Sequence, residues 1–135
     1  MNSRTEYLLQ AGPAGQLEVA IDRPALDAVQ RGTAVIAHPH PLFGGTMQNK
    51  VVGTLARAFV QTGWTAVRFN FRGIGNSEGS HDNRIGEVQD LLALLDARAP
   101  TRPPALAGLS FGCFVTARAL AQPPGRPDPP KLIPA

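Results

Sequence analysis

The chain has 135 residues, of which 43% are hydrophobic and 17% charged, a balance that suits one globular domain and excludes disordered and fibrous classes. Its formal charge is +3, and its 11 arginines are scattered rather than grouped as nucleic-acid-binding proteins group them. Binding to nucleic acid is therefore not predicted. No apolar run nears the ~20 residues of a membrane span, so no membrane interaction is predicted either. The N-terminus lacks a signal-peptide core and a single cysteine excludes an intrachain disulfide, so a cytoplasmic protein is predicted.

The first predicted elements are strands. Residues 5–23 have the pattern of a β-hairpin, with strands at 6–9 and 17–21 around a turn at 11–16 that contains glycine and proline. The short apolar run 33–37 is typical of a buried parallel strand. These runs predict two antiparallel strands followed by the first strand of a parallel sheet.

Two helices and a strand follow along the chain. A helix is predicted over 49–62, where apolar residues recur on one face, and a strand of high β-propensity over 64–71. The second helix follows a glycine-containing loop, and either Asp82 or Asn83 can cap it. Its predicted apolar stripe is formed by Ile85, Val88, Leu92 and Leu95.

The next stretch, 108–112, has the sequence Gly-Leu-Ser-Phe-Gly. It follows the apolar run 104–107 and precedes a segment that can be helical, 114–120. Strand, sharp turn and helix are the context that a G-x-S-x-G nucleophile elbow requires. A serine hydroxyl needs a base and an oxyanion site to act as a nucleophile. Ser110 is therefore a candidate nucleophile, and a glycine-rich turn without chemistry is the alternative.

The alternation of strands and helices predicts an α/β fold with a mainly parallel sheet, flanking helices and an N-terminal β-hairpin. Three glycine-containing loops, 38–48, 72–80 and 108–112, leave the carboxyl ends of the parallel strands, where ligands gather. We expect these loops to line one edge of the sheet, called here the rim. The tail 122–135 contains six prolines and is predicted to be irregular, although 131–133 could start one more strand.

The three loops together resemble the α/β-hydrolase superfamily. The likeness is to small, lidless bacterial hydrolases with an H-P-H-P-L-F/Y-G-G signature, matched here by 38–45, then by 69–79 and the elbow. The resemblance runs from about residue 5 to about residue 121. It implies a serine esterase- or aminopeptidase-like enzyme that hydrolyses a small ester, thioester or amide through an acyl-serine intermediate. No cofactor is implied.

The resemblance also implies a role for each loop. Ser110 matches the nucleophile, and the backbone N–H of Phe111 matches one donor of the oxyanion hole. The second donor comes from the loop after 33–37, where His40 is the candidate through its main-chain N–H and Leu42 is the fallback. Loss of one such donor typically costs ~10²–10³ in rate.

One departure from the family's pattern bears on activity. The family carries its acid and then its histidine after the serine, whereas here only Asp128 and no histidine follow Ser110. Residues 1–135 are therefore expected to form a single, partial α/β-hydrolase domain that is inactive or nearly so by itself. The alternative is a non-catalytic fragment or binding domain with a vestigial elbow, which could self-associate through an exposed sheet edge.

The three histidines leave further alternatives open. His81 could reach the rim and act as the base, against the family's order, while His38 is expected to support its loop through ring hydrogen bonds. His38, His40 and His81 could also hold a metal, but Pro39 and Pro41 beside the first two favour a rigid loop instead. The glycines of 73–79 are spaced one residue too widely for a dinucleotide fingerprint. Neither a metal nor a nucleotide is predicted.

Overall fold

The computed structural model describes residues 4–40, 45–80, 85–99 and 103–121, together with the backbone of 131–134. Within this part of the chain, six strands form one sheet and three helices flank it. The elements are β1 (Glu6–Gly12), β2 (Gly15–Asp22), β3 (Gly32–Ala37), α1 (Lys50–Gln61), β4 (Trp64–Phe69), α2 (Ile85–Arg98), β5 (Ala105–Gly108), α3 (Phe111–Leu120) and β6 (Lys131–Pro134).

The sheet has the strand order β1-β2-β4-β3-β5-β6. The strands β4, β3, β5 and β6 run parallel, and the β1–β2 hairpin is added antiparallel at β4. This arrangement confirms the predicted α/β class, the mainly parallel sheet and the N-terminal hairpin. The carboxyl ends of β4, β3 and β5 are therefore neighbours, which is where the three loops of the rim begin.

Two hydrophobic cores lie on opposite faces of the sheet, because successive strand residues point to opposite sides. Val35 and Val67 pack with buried residues of α2 and α3. Ile36 and Ala66 point the other way and pack with buried residues of α1. No helix in the described residues is long and apolar enough to cross a membrane.

The hairpin turn is shorter than predicted, and β4 ends earlier. Only Pro13 and Ala14 connect β1 to β2, because Gly15, with φ +125°, reverses the chain in two residues rather than over 11–16. The predicted strand over 64–71 stops at Phe69. Phe71 leaves the ladder because its N–H is donated to a histidine ring of the neighbouring loop.

The predicted apolar stripe of α2 is wrong in part. Ile85 is 72% exposed and Leu92 is only partly buried. The helix is turned so that Asp90 faces the interior and binds Arg72, and this interaction selects the face that packs. The buried apolar residues of α2 are Val88, Leu91, Leu94 and Leu95.

The tail is not irregular throughout, because residues 131–134 form β6, parallel to β5. This short run carries an apolar pair of high β-propensity, Leu132 and Ile133, and its proline comes last in the strand. A proline at the end of an edge strand removes no needed ladder bond. Residues 122–130 lie outside the described part of the chain, as do the predicted caps Asp82 and Asn83.

A buried ion pair joins the end of β4 to α2. The Nε and Nη2 atoms of Arg72 each lie 2.7 Å from an oxygen of Asp90, and Nη2 also donates to the Gly86 carbonyl at 2.9 Å. Both side chains are at least nine-tenths buried. Because water does not reach either partner, this bidentate pair holds the segment after β4 at a fixed position against α2.

Replacing Asp90 by alanine should lower the free energy of unfolding by about 3–5 kcal/mol, since it leaves the Arg72 guanidinium buried without its carboxylate. Urea unfolding followed by circular dichroism measures the loss. The matched control is Gln89→Ala, at an exposed position of the same helix, which should change the free energy by less than about 0.5 kcal/mol. Equal losses in the two variants would contradict the assigned importance of the pair.

Candidate active site

Ser110 has a backbone conformation that few residues adopt. It lies between the end of β5 and the start of α3 with φ +52°, and it is the one non-glycine residue of the described chain with positive φ. Such a sparsely populated conformation costs an L-residue on the order of 1–3 kcal/mol. The turn is held by hydrogen bonds from Gly112 N to Leu109 O and from Phe114 N to Ser110 O. The side chain of Ser110 is exposed, so the strained turn presents its hydroxyl to solvent.

Two glycines allow the close packing that this turn needs. A Cβ on Gly112 would lie 2.3 Å from the Ala37 carbonyl oxygen, and one on Gly108 would lie 2.4 Å from the Gly112 carbonyl carbon. The Leu109 N–H also donates to the Ala37 oxygen at 3.2 Å. The first turn of α3 therefore lies directly against the end of β3, where the 38–48 loop begins.

Aromatic side chains of the elbow, of the loop after β3 and of the end of β4 pack against one another. The Phe111 ring packs edge-on against His40, with ring centroids 4.7 Å apart, and against Phe71 at 5.4 Å. These residues belong to the elbow, to the loop after β3 and to the end of β4. The elbow therefore contacts both the loop after β3 and the end of β4, from which the 72–80 loop leaves. The amide of Phe111 is also the first of α3, at the positive end of the helix dipole.

His38 is fully buried and serves as a structural link. Its Nε2 accepts the N–H of Phe71 at 3.0 Å, and its Nδ1 lies 2.7 Å from the Pro39 carbonyl oxygen. Because Nε2 accepts, Nδ1 carries the proton and donates it to Pro39. Burial lowers the pKa of His38 to about 4, while the bond to Pro39 acts in the opposite direction. Both ring nitrogens are occupied, so His38 holds its loop against the end of β4.

A polar cluster that sequence reasoning missed ties the same loops to the hairpin. Asn70 Oδ1 accepts the Met47 N–H at 2.9 Å, and Asn70 Nδ2 donates to Glu18 at 2.7 Å. Glu18 also accepts the backbone and side-chain N–H groups of Asn76. The only sequence signal for this cluster is a polar asparagine directly after a strand of high β-propensity.

The structure places the predicted site residues unevenly. Ser110, Phe111 and His40 come together at the rim, and His38 lies beneath it. Leu42 and His81 lie outside the described residues. Among the residues that are described, no group of three or more His, Cys, Asp or Glu side chains could hold a metal. The oxyanion roles of Phe111, His40 and Leu42 stay predictions.

Known proteins share this architecture. A lidless α/β serine hydrolase from Xanthomonas campestris is 41% identical, with a TM-score of 0.82, over 99% of this chain and 71% of its own. An α/β serine hydrolase homologue from Coxiella burnetii is 45% identical, with a TM-score of 0.84, over 99% of this chain and 62% of its own. No protein-family model matches the chain.

The chain therefore belongs to the α/β-hydrolase family, whose N-terminal part it matches. An uncharacterized protein from Rickettsia prowazekii is also similar, with 39% identity over 108 residues. That match covers 77% of this chain and 44% of the Rickettsia protein. The chain thus spans under half of the curated relative and about two thirds of the two solved hydrolases.

Replacing Gly112 by alanine should destabilise the fold strongly, because the new methyl would overlap the Ala37 and His38 carbonyl oxygens. Overpacking of this kind typically costs about 1–3 kcal/mol. The matched control is Gly53→Ala in α1, where the nearest atom is 3.7 Å away and helix propensity predicts a gain of about 0.5–1 kcal/mol. Thermal unfolding of both variants measures the contrast. Opposite signs are expected, and a stable Gly112→Ala protein would refute the close packing.

Stability should fall with acid between the unfolded and folded pKa values of His38. Since the folded pKa of about 4 lies below the ordinary 6.5, the unfolded chain binds more protons within that window. The contribution is complete above about pH 6.5 and is lost as the pH falls toward about 4, by roughly 2 kcal/mol between about pH 7 and pH 5. Urea unfolding at the two pH values measures this loss.

Two single-histidine variants test whether His38 causes that pH dependence of the unfolding free energy. His38→Gln should remove most of the fall in unfolding free energy, whereas His40→Gln should retain it. Nuclear magnetic resonance of the His38 ring in the unsubstituted protein gives a second readout, in which the ring stays neutral at about pH 5. A ring that titrates near its ordinary pKa would contradict the burial argument.

Proposed function

We propose that the rim is the active site of a serine hydrolase that acts on a small ester, thioester or amide through an acyl-serine intermediate. The observation that carries the proposal is the exposed, left-handed Ser110 at the strand-to-helix turn. Strained backbone conformations persist only where the surrounding structure enforces them, and they are concentrated at active sites. The family likeness supports a hydrolase in general terms.

In the proposed reaction, Ser110 Oγ forms a bond to the carbonyl carbon of the substrate, and the carbonyl electron pair moves to its oxygen. The backbone N–H groups of Phe111 and His40 hold this oxyanion. The electron pair then returns and expels the alcohol, thiol or amine, which takes up a proton. Water attacks the acyl-serine in the same manner and releases the acid. The proton of Ser110 must pass to a base at the first step.

The identity of that base decides how fast this chain can react. The three histidines, at 38, 40 and 81, all precede Ser110, whereas the family's order places its histidine afterwards. His38 cannot serve, because both of its ring nitrogens are engaged and its pKa is lowered to about 4. We therefore propose that the 135-residue chain by itself acylates Ser110 slowly and turns over little.

Ser110 should be the residue that a fluorophosphonate or an activated ester modifies, and added imidazole should speed the modification by supplying a base. Intact-protein mass spectrometry after incubation with p-nitrophenyl acetate measures the acyl adduct. The adduct should be absent from Ser110→Ala and unchanged in Ser80→Ala, a serine at an exposed position of the neighbouring loop.

Two outcomes would change the assignment. An adduct that persists in Ser110→Ala would remove Ser110 as the nucleophile. Rapid turnover that depends on Ser110 and disappears in His81→Ala would make His81 the base and overturn the proposed inactivity. The Xanthomonas relative, assayed in parallel, gives the rates of acylation and turnover of a longer chain of the same family for comparison.

A second candidate function is association without catalysis. Among the described strands, β6 lies at one edge of the sheet and pairs only with β5. Such an edge offers backbone donors and acceptors to another strand. Sedimentation velocity over a range of concentrations tests this candidate: a dimer that forms without any acylation of Ser110 would favour it, and a monomer would remove it.

A further inference from the structure

A cleft of about 340 Å³ opens beside the first two turns of α1 and shares no residue with the elbow. Among the described residues, three cationic side chains line it, Lys50, Arg57 and Arg68, and no acidic side chain does. Lys50 and Arg57 are exposed, whereas Arg68 is 1% exposed and forms the buried end. Nothing in the proposed hydrolase reaction uses this cleft.

Arg68 has donor capacity that the protein does not satisfy. Its Nη1 donates to the Met47 carbonyl at 3.1 Å, and its Nη2 lies 3.4 Å from Asp22 Oδ2. Its Nε is buried and has no hydrogen-bond partner among the described residues. Buried donors are nearly always paired, so the guanidinium that lines this cleft is not fully satisfied by the part of the chain that the structure describes.

Lys50 and Arg57 both line the cleft from α1, and hydrogen bonds hold the guanidinium of Arg57 there. Arg57 Nη2 donates to Thr54 Oγ1 at 3.1 Å, and that hydroxyl donates to the Lys50 carbonyl at 2.9 Å. These two linked hydrogen bonds direct the Arg57 guanidinium back toward the start of the helix. The first turn of α1 carries no acidic residue, although the helix dipole favours negative charge there. The positive potential of the cleft is therefore not neutralised from within the helix.

We propose that this cleft binds a phosphoryl group, as inorganic phosphate or as a small phosphate monoester. Three cations, offset by the single Asp22 carboxylate behind Arg68, match the charge of about −1.5 to −2 that a phosphate monoester carries near neutral pH. Arginine forks suit phosphate oxygens, and the lysine adds a point charge. The volume lies at the lower end of small-molecule sites, which leaves room for a short organic group.

The test titrates the 135-residue chain with inorganic phosphate at constant ionic strength, followed by amide chemical shifts of 48–57. Saturable binding is expected, and phenyl phosphate should compete at the same residues. Lys50→Gln and Arg57→Gln should each weaken binding by about tenfold. Arg118→Gln, at an exposed position of α3, is the matched control and should leave binding unchanged.

Each contrary outcome has a clear meaning. Shifts that sodium chloride reproduces at equal ionic strength, or weakening by Arg118→Gln as large as by Arg57→Gln, would show general charge attraction and overturn the site. Acetate binding as tightly as phosphate would overturn the phosphoryl assignment. Ser110→Ala should bind phosphate normally, so the result stands apart from the proposed hydrolase reaction.

Discussion

The contact on which the rest of this structure depends is the approach of two backbones, the first turn of α3 and the end of β3. Gly112 has no room for a methyl group, since a Cβ there would lie 2.3 Å from the Ala37 carbonyl oxygen. That contact fixes the crossing of helix and strand, and the left-handed Ser110 is the bend that the chain must make to reach it. The position of the Ser110 hydroxyl thus depends on the absence of side chains at Gly108 and Gly112.

The other loops of the rim are held by hydrogen bonds that cross between strands. His38 accepts the Phe71 N–H, and Asn70 accepts the Met47 N–H, so the loops after β3 and β4 are joined twice. The Arg72–Asp90 pair then fastens the end of β4 to α2. Because these partners are buried, the rim is built on a rigid base, and the ring of Phe111 packs against surfaces that do not move independently.

Much of this could be predicted from the sequence because the signals are local. Apolar runs and glycine loops identified the parallel strands, and the G-x-S-x-G stretch located the elbow at Ser110. The errors arose where distant partners decide. The buried face of α2 depends on Asp90 meeting Arg72. Neither partner is visible in a window of neighbouring residues, and the same holds for Glu18 and Asn70.

The role of Glu18 has a consequence for the N-terminal hairpin. This carboxylate sits on β2 and receives three hydrogen bonds from Asn70 and Asn76, while Gln16 and Glu78 exchange backbone and side-chain bonds nearby. The hairpin consequently supports the segment that follows β4 through these hydrogen bonds, in addition to extending the sheet. A shift of β2 along β4 would move the Glu18 carboxylate away from Asn70 and disturb the segment that carries Phe71, whose ring packs against Phe111 of the elbow.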